Sequence, residues 1–563
     1  MDRESRRRLE EFRREAGPIE NNVIDELAEG ELSRSDFIKR ASMFGLSASV
    51  IGSALAALGE APLAFARPEA VKAGGRLRLG IIPPPTHPIE PILFFDQGSL
   101  ETGGICGEFL NRTTLSGGLN KELATSWNPN KNATVWTYKL RPNVKFQNGT
   151  TMNADDVVAT YKTLTGDPSS EALAAFKGVL SPDGVVKVDN ETVAFHLDSP
   201  TAAFPYLTSS TTYQAIILPS TYQKGSFVKT AETTGAFKLT QFTPGIGAKY
   251  DRFTGWWGGH APLDGVDVTY YSDDAAVAAA LLGNSIDLIG QIQFATGRPL
   301  FGNKNVQIFR ARGATHREVC MRVDLNNQLH DYRVRQAIAY TLDRPAIRKT
   351  LFNNLADLGN DNPFAPAFAS TDKSVPQRHK DIRKAKQLMA AAGHSKGFSL
   401  TLTTEQVGEI PQLAQIIQRS VRQIGIKMTL RILTETAYFA GSQTGPPSGW
   451  GTTPWLNTPM NITDWGSRAV VNQLLIAAFE SKGVWNAAHY SNKKVDRLSK
   501  SFLGAISITD QHKYSKQIEL QLLHDTPVII PYFYNYLAAG SKKVKGYKAD
   551  ALGQIYLSHT SLS

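Results

Sequence analysis

The alternation of apolar and polar positions between residues 398 and 432 predicts a strand, a helix and a second strand. Residues 398–402 alternate apolar with polar side chains, and residues 428–432 repeat that period, as half-buried strands do. Between them, Pro411 begins a segment whose apolar residues recur at helical spacing. Two strands joined by a helix through short connections form a βαβ unit, which predicts a parallel strand pair inside an α/β lobe.

Capping residues mark the ends of further helices. Asn153 is a candidate N-cap, because the two acids that follow it complement the positive end of a helix dipole. Asp331 and Asp343 precede two more helical segments, and Gly393 ends a helix predicted to begin at Ile382. The chain has no internal repeat and no long low-complexity linker, as expected for lobes between which the chain crosses more than once.

Length and composition favour a large globular protein. The 563 residues exceed what one ordinary core holds and predict two or three domains. Hydrophobic residues make up 42% and charged residues 20%, as in folded chains, and no run of 18 strongly apolar residues predicts a membrane span. The net charge of +10 comes from dispersed lysines and arginines. Dispersion favours a solvated basic surface over a binding surface for anions, and we expect no nucleic-acid partner.

The first 66 residues are predicted to form an extension followed by an export signal. Residues 1–32 are highly charged, which is typical of a helical or disordered extension. The stretch SRSDFIKR leads into a mildly apolar run at residues 41–58, and residues 64–66 (Ala-Phe-Ala) offer a small-x-small cleavage site. We therefore expect the protein to work in the periplasm or elsewhere outside the cytoplasm.

The export route has two candidates. SRSDFIKR resembles the twin-arginine consensus, but Ser35 stands where the second arginine is usual, so a general secretion signal is the alternative. An uncleaved amphipathic membrane anchor is a third interpretation of the same segment. No cysteine ends the apolar run, which argues against a lipid-anchored lipoprotein.

The sequence lacks the signatures of the common nucleotide-binding, zinc-dependent and serine-hydrolase enzymes. It has no GxGxxG after a strand, no GxxxxGK[ST], no HExxH and no GxSxG, and the 11 histidines lack metal-ligand spacing. Neither Cys106 nor Cys320 lies in a CxxC, which argues against structural zinc. The two cysteines could form a disulfide in an oxidising compartment, and two buried free thiols are the alternative. We expect no catalytic site, no metal and no cofactor.

The most specific resemblance to a known family lies between Leu123 and Val158. LATSW and WTYKLRPNVKFQNGTTMNADDVV resemble, element by element, the bacterial extracellular solute-binding proteins of family 5, which serve dipeptide, oligopeptide and nickel importers; Tyr138 replaces the usual phenylalanine. Four more stretches follow in the order of the family: TTGAFKL (233–239), WWGGHAPLDGVDV (256–268), LLGNSIDLI (281–289) and DYRVRQAIAYTLDRPAI (331–347).

The resemblance implies an α/β, two-lobed periplasmic-binding-protein type II fold, with an extra subdomain in the first lobe and a central cleft. The implied bounds are residues 73–115, 231–330 and 521–563 for lobe I, 116–230 for the extra subdomain, and 331–520 for lobe II. It also implies the function of a monomeric substrate-binding subunit of an ABC importer, which closes on a short peptide or similar solute and delivers it to a membrane permease.

One stretch suggests where a ligand binds. NITDWGSRAVVNQLL resembles the family segment in which an aspartate pairs with the peptide's ammonium group, and Asp464 falls on that position. Asn461 replaces a usual tryptophan, Trp465 a usual tyrosine, and Arg468 lies near a usual proline. Asp464 could instead cap a following helix, and Arg468 could pair with Asp464.

Seven further residues are candidate contacts for a ligand. Arg468 could bind a carboxylate through its planar fork, and Trp465, Trp485 and Trp455 could form flat apolar walls. Asn486 is a polar candidate beside Trp485. In the first lobe, Gly104 and Ile105 match a loop that often lines the cleft of family members.

Other functions remain open. The same fold could capture an opine-like compound, a metal chelate or a sugar. An extracytoplasmic sensor or chaperone, or an exported hydrolase on this scaffold, are alternatives from other classes.

Overall fold

The computed structural model describes residues 18–58, 60, 73–82, 89–114, 117–230, 232–294, 296–442 and 451–563. The first 17 residues of the predicted extension and the predicted cleavage site at residues 64–66 lie outside the described residues. So do the side chains of residues 18, 49 and 230.

The strands are numbered along the chain: β1 (Arg76–Ile81), β2 (Asn111–Thr113), β3 (Leu119–Lys121), β4 (Ala124–Pro129), β5 (Val135–Leu140), β6 (Val185–Asp189), β7 (Thr192–His196), β8 (Phe237–Thr243), β9 (Gly247–Arg252), β10 (Gly265–Tyr270), β11 (Leu288–Ile289), β12 (Val306–Met321), β13 (Ala356–Leu358), β14 (Ser399–Glu405), β15 (Lys427–Leu433), β16 (Met460–Trp465), β17 (Val528–Ile529), β18 (Tyr532–Ser541), β19 (Val544–Lys545) and β20 (Ser561–Leu562).

The α-helices are numbered in the same way: α1 (Pro18–Ala28), α2 (Arg34–Met43), α3 (Ala48–Ala57), α4 (Gln97–Gly104), α5 (Ala154–Gly166), α6 (Leu173–Phe176), α7 (Phe204–Leu207), α8 (Phe227–Thr230), α9 (Asp274–Leu282), α10 (Tyr332–Tyr340), α11 (Arg344–Phe352), α12 (Ile382–Ala391), α13 (Ile410–Val421), α14 (Glu435–Tyr438), α15 (Pro454–Asn457), α16 (Asn472–Leu474), α17 (Lys493–Gly504) and α18 (Ile508–Asp525). Short 3₁₀ turns lie at Pro91–Leu93, Pro182–Gly184, Arg298–Leu300, Gln328–His330 and Arg422–Ile424, and a π turn follows α16 at Leu475–Phe479.

The chain divides into two units. Unit 1 comprises Met1–Arg312, Gly504–Ile508 and Tyr536–Ser563, and unit 2 comprises Gly313–Leu503 and Thr509–Asn535. These boundaries differ from the predicted ones at 330/331 and 520/521, because the chain leaves and re-enters unit 1 in the middle of two strands, β12 and β18. A change of lobe inside a continuous strand leaves no composition shift or loop residues that a sequence pattern could reveal.

Unit 1 is built on a mixed sheet with the strand order β18-β11-β1-β10-β9-β8. Strand β1 runs parallel to β10 and β11, and the remaining neighbours are antiparallel. A separate antiparallel sheet, β4-β5-β7-β6, lies within the range predicted for the extra subdomain. Its strand β5 buries Trp136, Tyr138 and Leu140 at alternate positions, as the period of a strand requires.

Unit 2 contains the predicted βαβ unit. Strand β14 pairs in parallel with β15 from Ser399↔Lys427 to Glu405↔Leu433, and α13 connects the two strands. On the other side, β14 is parallel to β16, which is antiparallel to β12. The prediction of a parallel pair is therefore confirmed, and the same sheet carries the candidate ligand aspartate on β16.

The predicted helix starts are also confirmed. Asn153 caps α5 in a capping box with Asp156, and Asp331 and Asp343 cap α10 and α11. Gly393 follows α12 with a positive φ of 81°, a backbone conformation that glycine tolerates best. Among the helices in the described ranges, none is both long and apolar enough to cross a bilayer.

Candidate functional site

The candidate site in unit 2 is organised by a buried arginine on β12. Arg317 lies directly opposite Asp464 of β16 in the strand register, and only 2% of its side chain is exposed. Its guanidinium forms a two-point contact with Glu409, in which Nε donates to Oε1 over 2.9 Å and Nη2 donates to Oε2 over 3.1 Å. Tyr532 also donates its hydroxyl to Glu409 over 2.8 Å, and the guanidinium carbon lies 4.9 Å from the centre of the Tyr534 ring. Glu409 therefore neutralises Arg317 and holds it in place.

Asp464 keeps part of its carboxylate open to solvent. The Asp464 Oδ2 lies 3.7 Å from Arg317 Nη1, which is longer than a hydrogen bond, and 42% of its side chain is exposed. Asp464 is the next-to-last residue of β16, so the alternative role of a helix cap is wrong. The hydrogen bonds of Arg317 are directed at Glu409 rather than at Asp464.

Glu405 adds a third carboxyl group at the carboxyl end of β14. The pKa of Glu405 is raised to about 9, first by burial and then by the negative charge of Asp464, while the positive charge of Arg317 acts to lower it. Glu405 is therefore protonated at neutral pH. With Arg317 positive, Glu409 and Asp464 negative and Glu405 neutral, the cluster carries a net charge of −1. We call these four residues the carboxylate cluster.

An aromatic group lies on the opposite face of the β12–β16 strand pair. The Trp465 ring lies 5.6 Å from that of Trp485 and 6.3 Å from that of Trp455, so the structure brings the three predicted tryptophans together. His316, opposite Trp465 in the register, stacks on it with the ring centres 6.3 Å apart and a 13° angle between the rings.

Several polar atoms on this aromatic face are buried without a hydrogen-bond partner in the described part of the chain. They are Trp465 Nε1, His316 Nε2, Glu318 Oε2 and both amide atoms of Asn461. The distance from His316 Nε2 to Glu318 Oε2 is 3.8 Å, which is too long for a hydrogen bond. Buried polar groups without partners are rare in native proteins and indicate a place where water or a ligand's polar groups bind.

Arg468 bonds close to its own position in the chain. Its Nε donates to Gln473 Oε1 over 2.5 Å, and its Nη1 donates to the carbonyl oxygens of Gly466 and Ser467 over 3.3 and 3.0 Å. These bonds shape the turn that follows β16. A ligand role for Arg468 stays a prediction.

Three other predicted ligand residues have structural contacts that do not support that role. Asn486 is fully buried, donates to the carbonyl oxygens of Glu480 and Tyr490, and accepts the Tyr490 N–H. Gly104 ends α4 so close to Ile555 that a Cβ would lie 3.2 Å from its backbone nitrogen, and Ile105 is buried. Gly104 and Ile105 lie in unit 1 and Asn486 lies in unit 2, and a ligand role for the three residues stays a prediction.

The two cysteines are free thiols, so the predicted disulfide is not formed and the alternative describes the molecule. Cys106 Sγ lies 3.6 Å from the Gly103 carbonyl, and Cys320 Sγ donates to Glu318 Oε1 over 3.1 Å. Burial raises the pKa of Cys106 to about 12 and raises that of Cys320 as well, so both stay protonated. Among the described side chains, no group of three or more His, Cys, Asp or Glu residues could hold a metal ion.

Sequence reasoning missed Arg317, Glu405 and Glu409. Arg317 and Glu409 lie on elements far apart in the chain, and no local pattern predicts that they pair. Glu405 had an accessible signal, because it ends the first strand of the predicted βαβ unit, and ligand sites of α/β sheets lie at the carboxyl ends of strands.

Comparison with known proteins agrees with this architecture. The sequence profile of the bacterial extracellular solute-binding proteins, family 5 Middle, matches residues 118–485, more than half of the chain. The glutathione-binding protein GsiB of Escherichia coli K12 is 27% identical over 448 residues, which cover 76% of this chain and 85% of GsiB.

Two solved structures share the fold. DppA of Helicobacter pylori, in complex with the peptide STSA, has a TM-score of 0.73 at 20% identity and covers 87% of this chain and 98% of its own. AgaA of A. tumefaciens, in complex with agropinic acid, has a TM-score of 0.70 at 21% identity and covers 87% of this chain and 99% of its own. The chain belongs to the bacterial extracellular solute-binding proteins of family 5, and it is the substrate-binding subunit of an ABC importer.

Proposed function

We propose that this protein captures a short peptide, or a similar small solute with an ammonium group, and that Asp464 binds that ammonium. The observation that carries the proposal is the half-exposed carboxylate of Asp464 in a cluster with a net negative charge. Neutral Glu405 and Glu409-bound Arg317 leave Asp464 as the charged acceptor that a cationic ligand group can reach.

The chemistry of the relatives' ligands supports this class. GsiB is named for glutathione and DppA was solved with the peptide STSA, and both compounds carry a free amino group. Trp465 lies on the opposite face of the β12–β16 strand pair from Asp464, so on this proposal the ammonium contact comes from Asp464, and a ligand role for Trp465 and Trp485 stays a prediction.

The wider role follows from the family. Its members are binding proteins that work outside the cytoplasm. On our proposal, this chain acts as a monomer without catalysis and delivers its solute to an ABC permease. Closure on the solute is driven only by the tighter binding of the closed state.

A second candidate is a solute without a peptide bond. Asn461 replaces the tryptophan usual in peptide-binding members, and AgaA, solved with agropinic acid, shares the fold. An opine-like compound that keeps an ammonium group would use Asp464 in the same way.

Calorimetry separates these possibilities. We expect a peptide with a free amino terminus to bind and its N-acetylated form to bind at least tenfold more weakly. Asp464→Asn should remove that difference, whereas Asp155→Asn, a matched change at an exposed aspartate of unit 1, should leave it intact. Equal affinity for the free and acetylated peptides in the unaltered protein would contradict the ammonium role. Mass spectrometry of solute retained through purification then identifies the compound class.

A further inference from the structure

The three N-terminal helices pack into unit 1 instead of standing apart from it. We call residues 18–58, which comprise α1, α2 and α3, the strap. Apolar side chains along the strap are buried, namely Val23, Ile24, Phe37, Phe44, Ile51 and Leu55. In the export-like stretch SRSDFIKR, Phe37 and Arg40 are buried, whereas Ser33 and Ser35 are exposed, and part of the apolar run after it is buried as well.

A buried ion pair fastens the strap to residues near the C-terminal end of the chain. Arg40 Nε lies 3.1 Å from Glu26 Oε2, and the two side chains are 4% and 6% exposed. Glu26 Oε1 accepts the Ile508 N–H over 2.7 Å, and Arg40 Nη2 donates to the Ile506 carbonyl. Without the strap, a backbone donor and a backbone acceptor of Gly504–Ile508 would lose their partners.

A second set of contacts fastens the strap to the antiparallel sheet of unit 1. Trp127 Nε1 donates to the Met43 carbonyl over 2.8 Å, and the Leu119 N–H donates to Ser42 Oγ over 2.8 Å. At Gly45, which has a φ of 83°, a Cβ would lie 2.6 Å from the Trp127 carbonyl oxygen, so only glycine fits this approach. These are specific polar contacts, which non-specific adhesion of an apolar leader would not produce.

The aromatic core of the same sheet continues into the strap. The Phe44 ring stacks on Trp136 at 6.5 Å with 6° between the ring planes. Trp127 and Trp136 are both almost fully buried, and strap residues form part of their cover. Removing the strap would therefore expose large aromatic surface, which is unfavourable in water.

We propose that residues 18–58 remain with the folded protein as a structural part of unit 1, and that folding of unit 1 takes Phe37 and Arg40 of the SRSDFIKR stretch out of reach of export machinery. The signal is then readable only before unit 1 folds or when the strap detaches. A cut at residues 64–66 would not by itself release the strap, because contacts outside the cut segment hold it.

Cutting the folded full-length chain tests whether the strap stays. A protease recognition sequence is inserted after residue 60, and the protein is purified, cut and passed over a size-exclusion column. We expect the strap fragment to co-elute with the body in equal amounts by intact mass. Elution of the fragment apart from the body would overturn the proposal.

Two matched variants test whether the buried pair is the anchor. Glu26→Gln should release the fragment at least tenfold more readily from the cut protein, because Arg40 would lose its charged partner inside the core. Glu29→Gln changes an exposed acid on the same segment and should leave the fragment bound. Equal retention in both variants would contradict the anchoring role of the pair.

Two measurements on the unaltered chain test whether Arg40 is inaccessible in the folded protein and whether residues 18–58 are kept after export. We expect trypsin to leave the bond after Arg40 uncut while unit 1 is folded, because that side chain is buried; rapid native-state cleavage there would refute concealment. Intact mass of protein recovered from outside the cytoplasm should include residues 18–58, either continuous or as a bound fragment. Recovery of a body that lacks them would overturn the proposal.

Discussion

Two buried arginines, Arg40 in unit 1 and Arg317 in unit 2, show how differently one kind of ion pair can be used. Arg40 forms a buried ion pair with Glu26, whose other oxygen accepts N–H groups from Ile508 and Asn22, and the charge of Asp36 has a smaller effect on Arg40. Arg317 shares its surroundings with three carboxyl groups, of which Glu409 takes the bidentate contact. The first pair is balanced in charge and closed, and the second is unbalanced and partly open.

The difference separates an anchor from a binding site. A buried pair whose charges and hydrogen bonds are matched gains nothing from an outside ion, so its role is to fix two segments relative to each other. A bound cation lowers the electrostatic energy of a cluster that has excess negative charge and one half-exposed carboxylate. Charge balance and exposure therefore indicate function here, whereas the presence of a buried arginine does not.

Breaking the buried ion pair of Arg40 and Glu26 should give the largest change in the free energy of unfolding. We expect Arg40→Met to lower the free energy of unfolding of unit 1 by about 3 kcal/mol, because Glu26 is left as a buried charge without its cation. Urea denaturation followed by tryptophan fluorescence measures the loss. Ligand affinity, measured in native buffer, should stay unchanged, and a change in affinity larger than the change in stability would erase the distinction between anchor and site.

Removing the charge of Asp464 should lower ligand affinity and leave stability nearly unchanged, which is the reverse of the effect expected for Arg40→Met. Asp464→Asn removes a half-exposed charge, and we expect affinity for an ammonium ligand to fall by about 2 kcal/mol, roughly 30-fold. Thermal stability should change by less than about 0.5 kcal/mol, since exposed charges add little to folding. A stability loss comparable to that of Arg40→Met would show that Asp464 stabilises the fold, as Arg40 does, and would contradict the distinction between the two sites.

The local elements were predictable because each depends on a short pattern. The βαβ unit follows from the period of residues 398–432, and the caps at Asn153 and Asp331 follow from side chains that bond their own backbone. Asp464 was found through a family resemblance, which predicted its position and not its neighbours. Its proposed ligand role still depends on experiment.

The remaining features depend on pairings between distant segments, which no local pattern encodes. Arg317 of β12 and Glu409, the residue before α13, meet only because the fold of unit 2 brings them together, although 92 residues separate them. The strap was missed for a different reason: a basic stretch followed by small apolar residues predicts an export signal, and the same residues also suit packing against a sheet. Composition cannot distinguish these outcomes, whereas the contact between Met43 and Trp127 does.

Glu405 offers a test of how the cluster responds to a cation. Its pKa of about 9 in the ligand-free protein means that it holds a proton at pH 7, and a bound ammonium group would favour the carboxylate and lower that pKa. Binding should therefore release up to one proton, and affinity should rise as pH increases from 7 until the ligand's own ammonium loses its proton, at about pH 8 for a peptide amino terminus.

Calorimetry at pH 7 in two buffers of different ionisation enthalpy counts the protons released. We expect Glu405→Gln to bring the count close to zero and to leave a modest affinity change of about 1 kcal/mol, since Asp464 still binds the ligand. Asp464, Arg317 and Glu435 carry the charges that act on Glu405. The same proton count in Glu405→Gln and the unaltered protein would show that the cluster does not titrate on binding.

The exposed pair of Asp155 and Lys187 in unit 1 should give the smallest effect and calibrates the comparison. Its atoms are closer, at 2.7 Å, than those of either buried arginine and its carboxylate, yet the side chains are 56% and 35% exposed. Because solvent screens such a pair, we expect Lys187→Met to change the free energy of unfolding by less than about 0.5 kcal/mol and to leave affinity unchanged. Urea denaturation and calorimetry measure both quantities, and the values for Arg40→Met and Asp464→Asn serve as the reference. A loss as large as that of Arg40→Met would mean that distance, and not burial with charge balance, determines what these pairs do.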